Sequence, residues 1–206
     1  GDNSWTQNDV SGILTDAYSV SIGDADNDGN NEIVAGFGGG VANEVKIYNG
    51  SGSTWTENDV SGDLDKVNAV DIGDADNDGN NEIVVGFIST VTNEVKIYNG
   101  SGSTWTENDV SSDVGVSALS VYIGDCDNDE NNEIVVGFDD LTGSDVKFYE
   151  GSGATWTGYD VSSDLSGAFA VTVGDADNDN ENEIVVGFQY GPQNSEPLRV
   201  FNGSGS

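Results

Sequence analysis

The chain has 206 residues with 38 acidic and 5 basic side chains, no histidine and a formal net charge of −33, so its surface repels polyanions and excludes nucleic acid and anionic membranes as partners. No apolar run reaches the roughly 18 residues of a membrane span, no basic-then-apolar leader opens the chain, and Gly1 stands where an initiator Met would, so a mature or excised part of a longer chain is expected. A single cysteine, Cys126, allows no internal disulfide, and 35% hydrophobic residues suffice for a core of moderate size.

The first segment, Trp5-Thr6-Gln7-Asn8-Asp9-Val10, reads as a strand with no neighbour close in sequence. Next come the alternating Ser19-Val20-Ser21-Ile22 and the loop Gly23-Asp24-Ala25-Asp26-Asn27-Asp28-Gly29-Asn30-Asn31-Glu32, whose carboxylates fall at positions 1, 3, 5 and 9 counted from Asp24. Three Asp side chains two residues apart in a tight loop converge on one point, where they repel one another unless a cation sits among them. Ca²⁺ takes about 6–8 oxygen ligands in flexible geometry, and Asp24, Asp26, Asp28, the carbonyl of Asn30, Glu32 and a water would complete such a shell.

The frame recurs three times, so about four Ca²⁺ are expected, one per unit. The second set is Asp74, Asp76, Asp78, Asn80 and Glu82; the third is Asp125, Asp127, Asp129, Asn131 and Glu133; the fourth is Asp175, Asp177, Asp179, Glu181 and Glu183. An EF-hand begins the same way but needs a bidentate Glu at position 12 and flanking helices. Position 12 here is Ala35, Val85, Val136 or Val186, and the flanks alternate or run β-branched, as in Glu82-Ile83-Val84-Val85-Gly86-Phe87. Each loop therefore joins two strands as a metal-clamped hairpin. Position 6 is Gly29, Gly79, Glu130 or Asn180. If that position is left-handed, Glu130 pays a strain of about 1 kcal/mol and the third site is the weakest.

The opening Asp of each loop falls at 24, 74, 125 and 175 and Trp at 5, 55, 105 and 156, a period of 50 or 51 residues. Residues 43–62 and 93–112 differ only at Gly62 versus Ser112. The first full unit holds strand-like segments near 18–23, 32–37, 45–49 and 55–60, with Asn49-Gly50-Ser51-Gly52 as the turn between the last two. No segment has helical periodicity. Four antiparallel strands per repeat predict an all-β propeller forming one domain over residues 1–206. Blades are expected at 12–61, 62–111, 112–162 and 163–206, with residues 1–11 closing the last blade beside Leu198-Arg199-Val200-Phe201. The alternative is a homodimer in which two chains make an eight-bladed ring.

The Asp-x-Asp-x-Asp frames, the Gly before each and the Ile-Val strand after each resemble FG-GAP or VCBS-type repeats, the calcium-loop blades of integrin α-subunit propellers and of microbial surface proteins. The likeness spans essentially the whole chain. It departs from the family in the order Gly36-Phe37, in lacking Gly-Ala-Pro, and in having Glu rather than Asp at position 9. The resemblance implies a calcium-stabilised binding or adhesion module, extracellular or on the cell surface, with a protein or glycan ligand of the cell surface or matrix.

Strand order places the metal loops and the Asn-Gly-Ser-Gly turns at one edge of the blades. The variable loops 38–42, 88–92, 139–143 and 189–193 fall at the other, beside 15–18, 65–68, 116–119 and 166–169, and that edge is the expected ligand face. Lys46, Lys96, Lys147 and Arg199 occupy one strand position, where each is expected to pair with an acid between blades. The Trp residues are expected to fill the gaps between outer strands, with sugar stacking in a lectin-type propeller as the alternative. Lacking histidine, with one cysteine and five cations, the chain carries no nucleophile-base pair and no anion clamp. A non-catalytic module is expected, and a carboxylate-based enzyme acting on polysaccharides ranks below both binding readings.

Overall fold

The computed structural model describes residues 4–12, 14–40, 42–62, 64–112, 115–139, 143–162, 167–189 and 196–203. Among them it has fifteen β-strands and no helix. The first sheet comprises β1 (Ala17–Gly23), β2 (Glu32–Phe37), β3 (Val45–Ser51) and β4 (Thr54–Asp59). The second comprises β5 (Val67–Gly73), β6 (Glu82–Phe87), β7 (Val95–Ser101) and β8 (Thr104–Asp109). The third comprises β9 (Ala118–Gly124), β10 (Glu133–Phe138), β11 (Val146–Ser152) and β12 (Thr155–Ser162). The fourth holds three strands, β13 (Ala168–Gly174), β14 (Glu183–Phe188) and β15 (Leu198–Asn202). Every sheet is an antiparallel meander in chain order, so each acidic loop is a hairpin connection, as its flanking patterns require.

The turn between the third and fourth strands is tighter than expected, because Ser51 pairs with Thr54 and leaves only Gly52 and Ser53 outside the ladder. Gly52 takes φ +58° there, and a Cβ on Gly50 would lie 2.2 Å from the carbonyl oxygen of Thr54. Asn49 and Gly50 are thus strand residues, and glycine at 50 answers a close cross-strand approach.

Each sheet has two apolar faces, here termed front and back. The back of the first, with Val34, Val45, Ile47 and Val60, packs on the front of the second, with Val70, Ile83, Val85 and Tyr98. The same contact recurs between the second and third sheets and between the third and fourth. First strands of successive sheets lie side by side, β1 with β5, β5 with β9 and β9 with β13. Hydroxyls fasten these inner strands: Ser19 Oγ accepts the amide of Val70 at 3.0 Å and Ser120 Oγ that of Val171 at 3.1 Å. Burial on both faces explains the near-continuous apolar runs of β6 and β10, which have no solvated side to alternate with.

The two ends of the stack differ from the expectation of a ring closed within one chain. Among the described residues, 4–12 form no strand and do not pair with β15. Instead Val10 rests on Ala35, Phe37 and Tyr48, at the front of the first sheet. Trp5 is 95% exposed rather than packed between blades. Trp55, Trp105 and Trp156 are half-buried, pack against the apolar clusters and donate from Nε1 to the carbonyls of Gly52, Gly102 and Gly153. Lys46 and Lys96 pair as expected with acids, Asp59 and Glu57 for the first and Asp109 and Glu107 for the second, although these lie on the neighbouring strand of the same sheet. Lys147 pairs with Asp160 in the same way.

The Gly of each Gly-Phe pair marks where the next sheet arrives. A Cβ on Gly36 would lie 2.2 Å from Val67 Cγ1, and one on Gly137 2.5 Å from the carbonyl of Ala168. Gly187, the fourth copy, has nothing nearer than Ala170 Cβ at 3.7 Å. Gly36→Ala is therefore expected to destabilise the fold by about 1–3 kcal/mol through overpacking. Gly187→Ala is expected to change the stability of the single chain by no more than about 0.5 kcal/mol. Urea midpoints of the two variants check this difference.

Candidate metal centres

Each acidic loop is shaped by its own carboxylates. Asp24 accepts the amide of Asp28 on Oδ1 at 2.9 Å and that of Gly29 on Oδ2 at 3.0 Å. Asp28 Oδ1 accepts both the amide and the side-chain NH₂ of Asn30, each at 2.8 Å. The second and third loops repeat these bonds from Asp74 and Asp78 and from Asp125 and Asp129. These turns hold the backbone in left-handed conformation at two positions. Position 4 is an Asn in every copy, with φ between +60° and +67° at Asn27, Asn77, Asn128 and Asn178. Position 6 has φ +91° at Gly29, +92° at Gly79, and +75° at both Glu130 and Asn180. Glu130 therefore holds a backbone conformation that glycine and asparagine reach with less strain.

The predicted ligands converge unevenly. Carboxylate oxygens of Asp24, Asp26 and Glu32 lie within 4.8 Å of one another, as do those of Asp125, Asp127 and Glu133 and those of Asp175, Asp177 and Glu183. In the second loop the group so defined is Asp74, Asp76 and Asp78. The Glu at position 9 thus joins the cluster in three copies and the Asp at position 5 in one. Asn30, Asn80, Asn131 and Glu181 stand beside the clusters at position 7, and in the first three loops the side chain there is occupied in bonding Asp28, Asp78 or Asp129.

Glu32, Glu82, Glu133 and Glu183 are buried, and each anchors its loop by accepting through Oε2 the amide of position 2, at Ala25, Ala75, Cys126 or Ala176. Burial pushes Glu82 up to about 7 against the pull of the Ala75 amide, with Asp76 adding repulsion. Glu133 is raised to about 7 by the same desolvation. Asp76 and Asp127 are also raised, by burial and then by the charges of Asp78 and Asp129. Oδ1 of Asp26, Asp76 and Asp127 is shielded from solvent and has no hydrogen-bond partner. A buried carboxylate oxygen without a donor needs a cation or a proton. The oxygen-only donor set fits a hard divalent ion.

A second group of residues escaped the sequence reading. Asn81, at position 8 of the second loop, donates its amide to Asn27 Oδ1 at 2.7 Å and its side-chain NH₂ to the carbonyl of Asp24 at 2.8 Å. Asn27 returns a bond from Nδ2 to the carbonyl of Asn81 at 3.0 Å. The exchange repeats between Asn132 and the pair Asn77 and Asp74, and between Asn182 and the pair Asn128 and Asp125. Adjacent loops are thus stitched by three hydrogen bonds each, and position 1 of one loop is held by position 8 of the next. The recurrence of Asn at positions 4 and 8 in all four copies was the available signal. Cys126 is buried at position 2, where the other copies have Ala, and its thiol is pushed up chiefly by burial, so it is an inert packing group.

No protein-family model and no curated protein sequence matches the chain.

The raised carboxylates make metal-free stability depend on pH. Folded Glu82 and Glu133 hold protons up to about 7, against an ordinary value of 4.5, so between these limits the folded state binds more protons than the unfolded. Stability is therefore gained as pH falls through 7 and lost as it rises. Metal-free protein is expected to show a higher Tm at pH 5.5 than at pH 8 by scanning calorimetry; a lower Tm at pH 5.5 would contradict this account.

Proposed function

We propose that the four loops are Ca²⁺ sites and that the chain is a calcium-stabilised propeller module for binding or adhesion, working outside the cell or on its surface. The observation that carries this reading is the recurrence of a converging carboxylate cluster in all four acidic hairpins, with partnerless buried oxygens on Asp26, Asp76 and Asp127. Position 1, 3, 5 and 9 side chains and the position 7 carbonyl would supply the oxygens. A bound ion would offset repulsion among three or four carboxylates, draw Glu82 and Glu133 into their ionised forms, and tie the two strands of each hairpin at the edge where adjacent sheets meet. Sites of this modular kind bind with Kd of about 10⁻⁴–10⁻³ M, which suits extracellular calcium.

The opposite edge is the ligand face of this reading. Of its variable loops, residues 41, 140–142, 166 and 190–193 lie outside the described residues. The described part carries contacts between its loops: Lys66 Nζ lies 4.0 Å from the centroid of the Tyr18 ring on the first sheet, and Thr90 Oγ1 donates to Asp65 at 2.6 Å. A concavity of about 300 Å³ opens there among Leu64, Thr90, Val91, Thr92 and Lys96. A rigid scaffold presenting unlike loops at one edge is how many binding modules separate stability from specificity. The ligand is a protein or glycan of the cell surface or matrix, and the chain performs no catalysis.

Calcium titration by calorimetry, paired with thermal unfolding, tests the metal reading. At a calcium concentration of 100 Kd each occupied site adds about 2.7 kcal/mol, so chelation is expected to lower Tm by many degrees; an unchanged Tm would overturn it. Glu130→Gly is expected to tighten the third site by up to about fivefold, the equivalent of about 1 kcal/mol. For the binding reading, arrays of glycans and matrix proteins probed in millimolar calcium are expected to give signals lost on chelation and weakened by Thr90→Arg. Signals indifferent to that edge would refute the assignment of the face.

A further inference from the structure

We propose that a second copy of this chain docks head to tail on the first, so that two copies close one ring of eight sheets. The front of the first sheet and the segment before it would seat on the back of the partner's fourth sheet, at both junctions. Both surfaces are open in the single chain. Leu198 on the fourth sheet is 66% exposed, whereas its counterparts Val45, Val95 and Val146 are fully buried, and Val200 is 50% exposed, whereas its counterparts Ile47 and Ile97 are buried. Val20 and Ile22 on the first sheet are 65% and 70% exposed, whereas Val70, Val121 and Val171 are between 6% and 8%. These are the same two faces that pack on each other at all three internal junctions, so each end carries the mate of the other.

Three further observations point to the same occupant. Among the described residues the fourth sheet has no outer strand, and residues 4–11 have the sequence of one. Val10 already lies on the front of the first sheet as Val60 lies on the front of the second, in the place an outer strand of a preceding sheet would hold. Following the register of Lys46 opposite Asp59 and Ile47 opposite Asn58, Arg199 would face Asp9 and Val200 would face Asn8 of the second copy. Secondly, the stitching of the loops stops at both ends. Asn31 is exposed, while its counterparts Asn81, Asn132 and Asn182 reach the preceding loop; in the docked pair it would reach Asn178 and the carbonyl of Asp175. The fourth loop is correspondingly bare, with Ala176 exposed where Ala25, Ala75 and Cys126 are buried. A following sheet would cover it as the second, third and fourth sheets cover the loops before them. Thirdly, Gly187 faces open space where Gly36, Gly86 and Gly137 receive the next sheet. A head-to-tail contact repeats until it closes, and two copies give eight sheets, the upper end of the usual propeller range.

Light-scattering mass in millimolar calcium and about 0.5 M salt, which screens the acidic charge, tests the proposal. A mass twice the 21.4 kDa of the chain is expected. Gly187→Leu at one end and Val20→Glu with Ile22→Glu at the other touch only surfaces open in the single chain. Each is expected to give a mass of one chain with unchanged far-UV circular dichroism. A single-chain mass for the parent protein would overturn the proposal, whether the ring closed on itself or stayed open. Masses growing with concentration beyond two chains would overturn the closed pair. Loss of the dimer with one of these two changes and its survival with the other would indicate a face-to-face contact and overturn the head-to-tail arrangement. Each outcome is read from mass and so is separable from failure of the calcium assignment.

Discussion

Carboxylates crowded into a hairpin that cannot open set the terms for the rest of this molecule. The strands on either side of each loop are fixed by a ladder of backbone hydrogen bonds and, at the three junctions between sheets, by apolar burial, which holds the Asp and Glu side chains together. Desolvation of Glu82 and Glu133 and the stranded oxygens of Asp26, Asp76 and Asp127 are the visible signs of that confinement. The molecule stores electrostatic strain at one edge of the stack that a divalent ion, or protons, would relieve. With Cys126 alone and buried, no disulfide shares that work.

The strain is not local to one loop. Asn81, Asn132 and Asn182 each grip the carbonyl of position 1 in the preceding loop, so a change in the shape of one turn is felt by its neighbour. The other edge of the stack is held by different means. Glu44 and Glu94, buried just before the third strands, accept the amides of Leu64 and Gly115 in the connection to the next sheet. Those bonds tether the connections by their backbones and leave the side chains there free to vary, which is the division of labour the two edges show.

Much of this was legible in the sequence. β6 runs from Glu82 to Phe87 as the β-branched pattern required, and the left-handed backbone expected at position 6 is present even at Glu130. The loops were readable because their chemistry is local: spacing, charge and turn residues all act within ten positions. What was not readable acts across some fifty. Nothing in the spelling of Asn27 and Asn81 says which atoms they exchange, and an invariant Asn reads equally well as an ordinary turn former. The pairing of Lys46 was foreseen in kind, but its acids proved to be on the neighbouring strand, because a four-carbon stem reaches sideways along the sheet as easily as across the gap. The N-terminal segment was matched to β15 by pattern alone. Whether the two meet depends on the angle between successive sheets, a sum of many small side-chain volumes that no motif encodes.

The junctions between sheets are near copies of one another, and residues 43–62 and 93–112 are almost identical. The third and fourth strands of the first sheet would therefore fit the second nearly as well as their own neighbours do. During refolding, only the shortness of the connecting chain favours the correct partner, since loop-closure entropy penalises the distant one by no more than about 1 kcal/mol. At high concentration the chain faces a problem of bookkeeping among its own hairpins: strands exchanged between molecules would satisfy every local rule of the fold. Synthesis from the N-terminus resolves it, because each sheet can be finished before its double exists.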